Sequence, residues 1–275
     1  MFRAATIPRA TYVMTDFDRL APWEHELAVA LHDAVRAAGC RVLNDPRRAL
    51  PRPLLLRRLH AAGLNSFRIW EPARDERPDA FPCFLRTAAA HRGSLTDLLE
   101  TTEAADAALA EALAAGHPLA DLMFVEYRAE PLREGHFQKR AAHVIGDAVV
   151  PALTVNAGDW QAKLGAMGFA KDEDYVRERA EVDAFPHAEA IRAAFRVAGL
   201  DYGRADFGVV EGRVEVYEIN TNPTVAFIKT HPSPDRIAAD ARIGALLDAA
   251  FAAVDTEGTG LPIPLDTPRL LSARR

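Results

Sequence analysis

The chain has 275 residues, with 33 lysines and arginines against 39 aspartates and glutamates, a formal charge of −6. Its 49 % hydrophobic and 26 % charged residues exclude a disordered chain and fit one large domain or two small ones. The acidic balance argues against a nucleic-acid partner, and two cysteines are too few for a disulfide framework. No apolar run reaches the roughly 18 residues of a membrane-spanning helix. We therefore expect a soluble cytoplasmic protein without a membrane partner.

Residues 1–63 predict a short α/β unit. A strand over 11–14, a helix over 22–38 and a strand over 41–44 form a βαβ pattern, because apolar residues recur at helical spacing between two short apolar runs. A second helix is predicted over 52–62, before a glycine that can end it.

Residues 64–130 predict a small α+β unit of their own. Its strands are expected at 65–70, 81–86 and 122–127. A helix is predicted over 95–115 with Ser94 as its N-cap, since a serine oxygen accepts a hydrogen bond from the first helical turn.

Residues 131–275 predict long antiparallel strands and helices. A Gly-Asp turn joins strands over 136–145 and 148–155, and a second hairpin is predicted over 201–220. The predicted helices cover 171–184, 188–199 and 235–254, and the tail over 255–275 is expected to be coil. Lys163 follows the first hairpin, and it is either a ligand for a substrate carboxylate or a surface lysine beside a tryptophan.

The second hairpin carries the most informative polar residues. Because strand side chains alternate, Arg204 and Asp206 share one face, and Glu218 and Asn220 share one face. A two-residue turn at 211–212 would place Asp206 and Glu218 on opposite faces. A three-residue turn with a left-handed last residue would bring all four side chains together.

With the three-residue turn, two carboxylates, an amide oxygen and a guanidinium project from one surface. Such oxygen ligands suit Mg²⁺, which proteins commonly bind through one or two carboxylates together with phosphate oxygens. The alternative is a hairpin with a solvated charged face, because charged residues are common on edge strands. Spacing alone leaves both interpretations open.

The same residues resemble a known signature. Arg204-x-Asp206-Phe followed by Glu218-Ile-Asn220-Thr-Asn-Pro223 is similar to the metal-binding motif of ATP-grasp ligases, which include D-alanine–D-alanine ligase, glutathione synthetase and the ribosomal-protein glutamate ligase. Weaker similarities precede it in order, at 44–63, 81–94, 124–127 and 139–147. The resemblance implies an α/β (α+β) ATP-grasp fold. Its parts would be a truncated unit over 1–63, a lid subdomain over 64–130 and a larger antiparallel-sheet subdomain over 131–275.

The resemblance also implies roles for individual residues. Asp206, Glu218 and Asn220 would bind one or two Mg²⁺ that bridge the phosphates of ATP. Arg204 would be catalytic, stabilising an acyl-phosphate and the tetrahedral state that follows. The implied nucleotide-binding residues are Arg52, Arg86, Glu126, Lys139 and Arg140, with Glu126 at a hinge whose backbone reads the adenine edge.

Three features depart from the family pattern. Arg52 and Arg86 stand where the family usually carries lysines, and a planar guanidinium is not equivalent to an ammonium. Thr224 follows the motif where a glycine is common. The unit before residue 44 is short, so the acceptor site is either more open or completed by a second subunit, as in a homodimer.

The implied activity is an ATP- and Mg²⁺-dependent, ADP-forming ligase. It would join a carboxylate to an amine, or less often a thiol, through an acyl-phosphate, and form an amide or peptide bond on a small molecule or a peptide. A small-molecule kinase on the same scaffold and a non-catalytic nucleotide sensor remain as alternatives, because both can use the same nucleotide-binding residues.

Overall fold

The computed structural model describes residues 5–89, 93–163, 165–225, 230–256 and 258–265. The helices are α1 Pro22–Ala37, α2 Arg52–Ala61, α3 Thr102–Ala114, α4 Asp172–Ala184, α5 Ala188–Ala198 and α6 Pro234–Val254. The strands are β1 Thr6–Ile7, β2 Tyr12–Val13, β3 Val42–Leu43, β4 Ile69–Trp70, β5 Cys83–Thr87, β6 Leu122–Glu126, β7 Pro131–Arg133, β8 His136–Ile145, β9 Ala148–Ala157, β10 Tyr202–Val210, β11 Arg213–Asn220 and β12 Ile263–Pro264. This mixture of helices and largely antiparallel strands confirms the predicted fold class. None of the described helices is both long and apolar enough to span a bilayer.

The N-terminal unit has the predicted βαβ order. β2 and β3 pair in parallel, and α1 connects them and buries one apolar face, which includes Leu27 and Leu31. β12 pairs with β1, and Ile263 is buried in the same cluster as α1. The prediction of coil for the tail is therefore wrong at β12, because two residues are too few to produce a strand pattern in the sequence.

The small sheet has the order β4-β6-β5 and separates a helix from a cleft. One of its faces packs on α3 through Cys83, Leu85 and Phe124. Phe84 and Val125 are paired across β5 and β6 and lie on the opposite face, which lines the cleft. Alternation along these two strands thus decides which side chains meet a ligand.

The helix that follows β5 begins later than predicted. The chain after Ser94 runs along β5, where Leu95 N donates to Leu85 O at 2.8 Å and Cys83 N to Leu99 O at 3.0 Å. Thr101 rather than Ser94 caps α3, since its hydroxyl accepts from Ala104 N. Pairing with the edge of β5 overrides the local helical pattern in this segment.

The large sheet runs β11-β10-β8, with β7 and β9 also paired to β8. The hairpin β8–β9 turns at Gly146 as predicted, and α5 is followed by Gly199, which ends the helix with a positive φ. Phe195 of α5 packs with Ala205 and Phe207 of β10 in the main core. The opposite face of β8, β10 and β11 carries the polar residues of the cleft.

Candidate active site

The hairpin β10–β11 brings the predicted metal-site residues to one face. Arg204 pairs with Asn220, and Asp206 pairs with Glu218. Directly opposed residues of antiparallel strands project from the same face, with Cβ atoms about 4.5–5.5 Å apart. The structure therefore places all four side chains side by side.

The hairpin aligns these four side chains through a β-bulge, and not through the three-residue turn considered from the sequence. Its turn has two residues, Glu211 and Gly212, both with positive φ, and Val210 pairs with Arg213. Such a turn alone would separate the carboxylates. A β-bulge restores the alignment, because Phe207 pairs with Val216 while Asp206 pairs with Glu218, so Tyr217 is the extra residue.

A glycine makes room for the bulge residue. A Cβ atom added to Gly208 would lie 2.1 Å from Tyr217 Oη, so the tyrosine ring occupies the place of a side chain there. Tyr217 Oη donates to Arg128 O at 2.8 Å. Burial raises the pKa of Tyr217, which keeps the hydroxyl protonated as that donor. Gly208 and Tyr217 together fix the register of the predicted metal-site residues.

The two carboxylates are surrounded by basic side chains. Arg204 Nε donates to Asp206 Oδ1 at 2.9 Å, and Lys139 Nζ lies 3.7 Å from Asp206 Oδ2. Arg52 Nη2 donates to Glu218 Oε2 at 2.5 Å. The structure thus brings five predicted site residues into one network.

The donor set fits Mg²⁺. Within the described ranges no three histidine, cysteine, aspartate or glutamate side chains gather as a metal cluster. Asp206 and Glu218 supply two carboxylates, and Asn220 supplies an amide oxygen fixed by the Asn222 N–H at 2.8 Å. One or two carboxylates completed by phosphate oxygens and water are what Mg²⁺ commonly takes.

A second guanidinium stands beside Arg52. Burial, and then the charge of Arg52, lower the pKa of Arg86 to about 10. Arg86 is therefore still charged at neutral pH, and the two guanidinium groups repel each other. Glu218 opposes this effect and raises the pKa of Arg86. An anion bound between the two arginines would relieve the repulsion.

These residues line a cleft of about 370 Å³ between the small and large sheets. Among the described residues that line it, five are basic and three are acidic: Arg86, Arg128, Lys139, Lys163 and Arg204 against Glu126, Asp206 and Glu218. The cleft is therefore locally positive in a chain of net negative charge, which favours an anionic ligand.

The other part of the cleft is aromatic. The ring centroids of Phe84 and Trp160 are 4.8 Å apart, and Tyr127 meets Trp160 edge-on at 5.6 Å. Lys163 reaches across the cleft, and its Nζ would lie 3.5 Å from a Cβ added to Gly93. Part of the segment over 81–94 that resembles the family lies outside the described residues, which resume at Gly93. An aromatic wall beside basic groups suits a flat ring attached to phosphates.

Glu126 lines the cleft, and its carboxylate is held by neighbouring groups of the chain. The residue is 8 % exposed, Oε2 accepts from Arg68 N at 3.0 Å, and Oε1 lies 3.2 Å from Arg128 Nη2. These contacts fix the segment that leaves β6. These side-chain contacts therefore suit a role for Glu126 in positioning the backbone that follows β6.

Arg140 lies on the opposite face of the sheet from Lys139. It pairs with Phe207 across β8 and β10, and its Nη1 donates to Glu181 Oε2 of α4 at 2.6 Å. The side chain that the resemblance implied as a nucleotide ligand thus lies against α4, outside the lining of the cleft. Adjacent residues of a strand project to opposite faces, so only Lys139 of this pair can reach the cleft.

A second cavity, of about 480 Å³, adjoins the first. Glu218 and Asn220 line both cavities, and Arg52 lines the second. Its wall is largely apolar and comes from α1, α2, α5 and the segments beside them; it includes Phe17, Leu20, Leu50, Leu55, Leu200 and Ile219. The sequence contained no signal for this cavity, because its wall collects residues that are far apart in the chain.

Among solved structures, the chain is similar to ATP-grasp ligases, the family that its motifs resemble. It is 21 % identical to the ATP-grasp ligase PsnB complexed with a phosphomimetic variant of a minimal precursor, Mg and ADP, with a TM-score of 0.48. That match covers 83 % of this chain and 66 % of PsnB, slightly less than two thirds of its length. It is 13 % identical to D-alanine–D-alanine ligase from Bacillus anthracis complexed with ATP, with a TM-score of 0.46 and coverage of 83 % and 75 %. No protein-family model and no curated protein sequence matches the chain.

Proposed function

We propose that the chain is an ATP-dependent ligase that activates a carboxylate and joins it to an amine, or less often a thiol. One observation carries the proposal: the carboxylates of Asp206 and Glu218 are paired across the hairpin among arginines and a lysine, and Glu218 lines both cavities. A nucleotide in the first cavity and an acceptor in the second would place their reacting groups at the same residues.

The first cavity would hold ATP. Its base would lie in the aromatic part beside Phe84 and Trp160, and its phosphates would face Arg86 and Lys139. Mg²⁺ would be held by Asp206, Glu218 and Asn220 together with phosphate oxygens, and it would neutralise charge on the transferring phosphoryl group.

The second cavity would hold the acyl substrate, as a small carboxylate or the end of a peptide. An oxygen of its carboxylate attacks the γ-phosphorus, a P–O bond forms, and the bond to ADP breaks with its electron pair leaving on ADP. The lone pair of the amine then attacks the acyl carbon, a C–N bond forms and the C–O bond to phosphate breaks. The amine gives up a proton as phosphate leaves.

Arg204 would act at the charge that develops in both steps. Its guanidinium already contacts Asp206, so it lies beside the proposed metal ligands. Burial, and then Arg204, lower the pKa of its cross-strand neighbour His143 to about 4, so that imidazole is neutral at pH 7. With His143 neutral, Arg204 would supply the positive charge of this cross-strand pair, the kind of stabilisation that often dominates catalysis.

The test is ADP release from ATP and Mg²⁺ with pooled amino acids, short peptides and small carboxylates, with mass spectrometry of the products. We expect substrate-dependent ADP and a condensed product from the native chain and neither from Glu218→Gln. Glu211→Gln, in the exposed turn of the same hairpin, is the matched control and should behave like the native chain. A phosphorylated product without condensation would favour a kinase, and ATP binding without turnover would favour a sensor.

A further inference from the structure

Each carboxylate of the proposed metal site is already bound by a basic side chain of the chain itself. Glu218 is paired with Arg52 at 2.5 Å, and both side chains are largely buried, with 20 % and 12 % exposure. Asp206 is paired with Arg204 and Lys139. A metal ion that binds either oxygen of Asp206 or Oε2 of Glu218 would therefore compete with internal cations.

Two positive features of the fold lie near Arg52. It is the first residue of α2, where the helix dipole places partial positive charge. The buried guanidinium of Arg86 repels it as well. Glu218 attracts it, and Ala88 O accepts from its Nη1 at 3.3 Å. A bound polyphosphate would offer Arg52 a more strongly anionic partner.

We propose that Arg52 is an exchangeable counter-ion, which holds Glu218 until ATP binds and then turns to the phosphates, freeing Glu218 for Mg²⁺. This inference rests on the proposed function. Without nucleotide, a bound metal ion would add its charge to that of Arg52, Arg86, Lys139 and Arg204, which face only two carboxylates. The electrostatic potential at the site, already positive, would then rise further. The nucleotide supplies the missing negative charge, so metal and nucleotide bind cooperatively.

An arginine suits this exchange better than a lysine. A guanidinium presents several donors in a planar fork, so it can contact a phosphate oxygen before it has left the carboxylate. The exchange would give a function to the arginine at position 52. Arg52 would thus act on the metal through Glu218 and on the nucleotide by direct contact with its phosphates.

The test uses Mn²⁺, a hard cation with the same oxygen preference, counted by electron paramagnetic resonance. Mn²⁺ is titrated with and without the non-hydrolysable nucleotide AMPPNP, after subtraction of Mn²⁺ bound to AMPPNP in solution. In the native chain we expect AMPPNP to tighten Mn²⁺ binding by at least about fivefold, the lower end of ordinary coupling between sites. In Arg52→Gln, Mn²⁺ alone should bind at least about fivefold more tightly than in the native chain, and AMPPNP should add less.

Two further variants distinguish a specific effect of Arg52 on Mn²⁺ binding from a general effect of removing positive charge. Arg58→Gln removes the same charge from an exposed position of α2 and should leave Mn²⁺ binding unchanged. Arg52→Gln in a Glu218→Gln background should give no tightening, since the released carboxylate is absent.

Unchanged Mn²⁺ affinity in a folded Arg52→Gln variant would overturn the proposal. If that variant does not fold, the absence of coupling between AMPPNP and Mn²⁺ in the native chain would overturn it as well. A native chain that binds no AMPPNP at all would instead contradict the proposed nucleotide site.

Discussion

Asp174 and Asp206 are both buried carboxylates paired with arginine, yet their surroundings differ. Asp174 contacts Arg133 and Arg177, and it also accepts from Lys171 N at 2.8 Å. Asp206 borders the cleft, where basic groups outnumber acidic ones. The hydrogen bonds of Asp174 come from the chain itself, whereas Asp206 borders a cleft whose excess of basic groups favours an anionic ligand.

The largest effect should follow from breaking the structural cluster. Asp174→Asn removes the negative charge that pairs with Arg133 and Arg177 at a side chain that is itself buried, so the fold loses stability. We expect this loss in the free energy of unfolding by urea, with AMPPNP affinity unchanged in the folded protein. Glu173→Gln, its exposed neighbour, is the control. If Asp174→Asn weakened AMPPNP binding as much as a cleft variant does, the carboxylates Asp174 and Asp206 would not differ in function.

The pH dependence of stability should identify the same carboxylate. Although burial opposes the effect, hydrogen bonds from Arg133 and from the backbone of Lys171 lower the pKa of Asp174 to about 2. The stabilisation is therefore complete above the unfolded pKa of 3.8 and is lost as the pH falls toward 2. Urea unfolding at pH 5 and pH 3 should show a fall in the native chain that Asp174→Asn reduces. An identical fall in both chains would assign the acid sensitivity elsewhere.

In the cleft, Glu218→Gln should lower the rate of ADP formation by about 10²–10³-fold, the range typical of removing one electrostatic element from a catalytic site. Because Glu218→Gln also leaves Arg52 without its carboxylate, urea unfolding of this variant is measured beside its rate, to show that the compared protein is folded. Activity within threefold of the native chain would show that Glu218 is not a metal ligand.

Gly208→Ala tests the register that makes the cleft. The added methyl group collides with Tyr217, and overpacking of this kind costs about 1–3 kcal/mol. We expect a lower melting temperature together with weaker AMPPNP binding. The double variant with Tyr217→Ala should recover part of the stability, because the clash is removed.

The smallest effects should separate the two faces of β8. Lys139→Gln should weaken AMPPNP binding by about tenfold, the loss of one charge-assisted contact. Arg140→Gln should leave the affinity within about twofold, since its partner is Glu181 on the other face. Equal losses would mean that the nucleotide reaches residues outside the cleft.

The sequence predicted best where the determinants are local. The turn at Gly146 and the end of α5 at Gly199 depend on residues that are neighbours in the chain. The start of α3 does not, because pairing of Leu95 with β5 competes with the helical pattern. The alignment of Asp206 with Glu218 depends on Tyr217 filling the space above Gly208 and bonding to Arg128. The alternation of residue types along the strands does not encode that contact. The sequence alone therefore could not decide whether Asp206 and Glu218 share a face.

The sharing of Glu218 and Asn220 by both cavities has a consequence for inhibitor design. Two weak fragments, one seated against the aromatic wall and one in the apolar cavity, would approach each other at these side chains. A short tether between them would convert the second binding event into an intramolecular one, with an effective concentration in the millimolar range. Linked compounds could therefore bind far more tightly than either fragment, with no new contact to the protein.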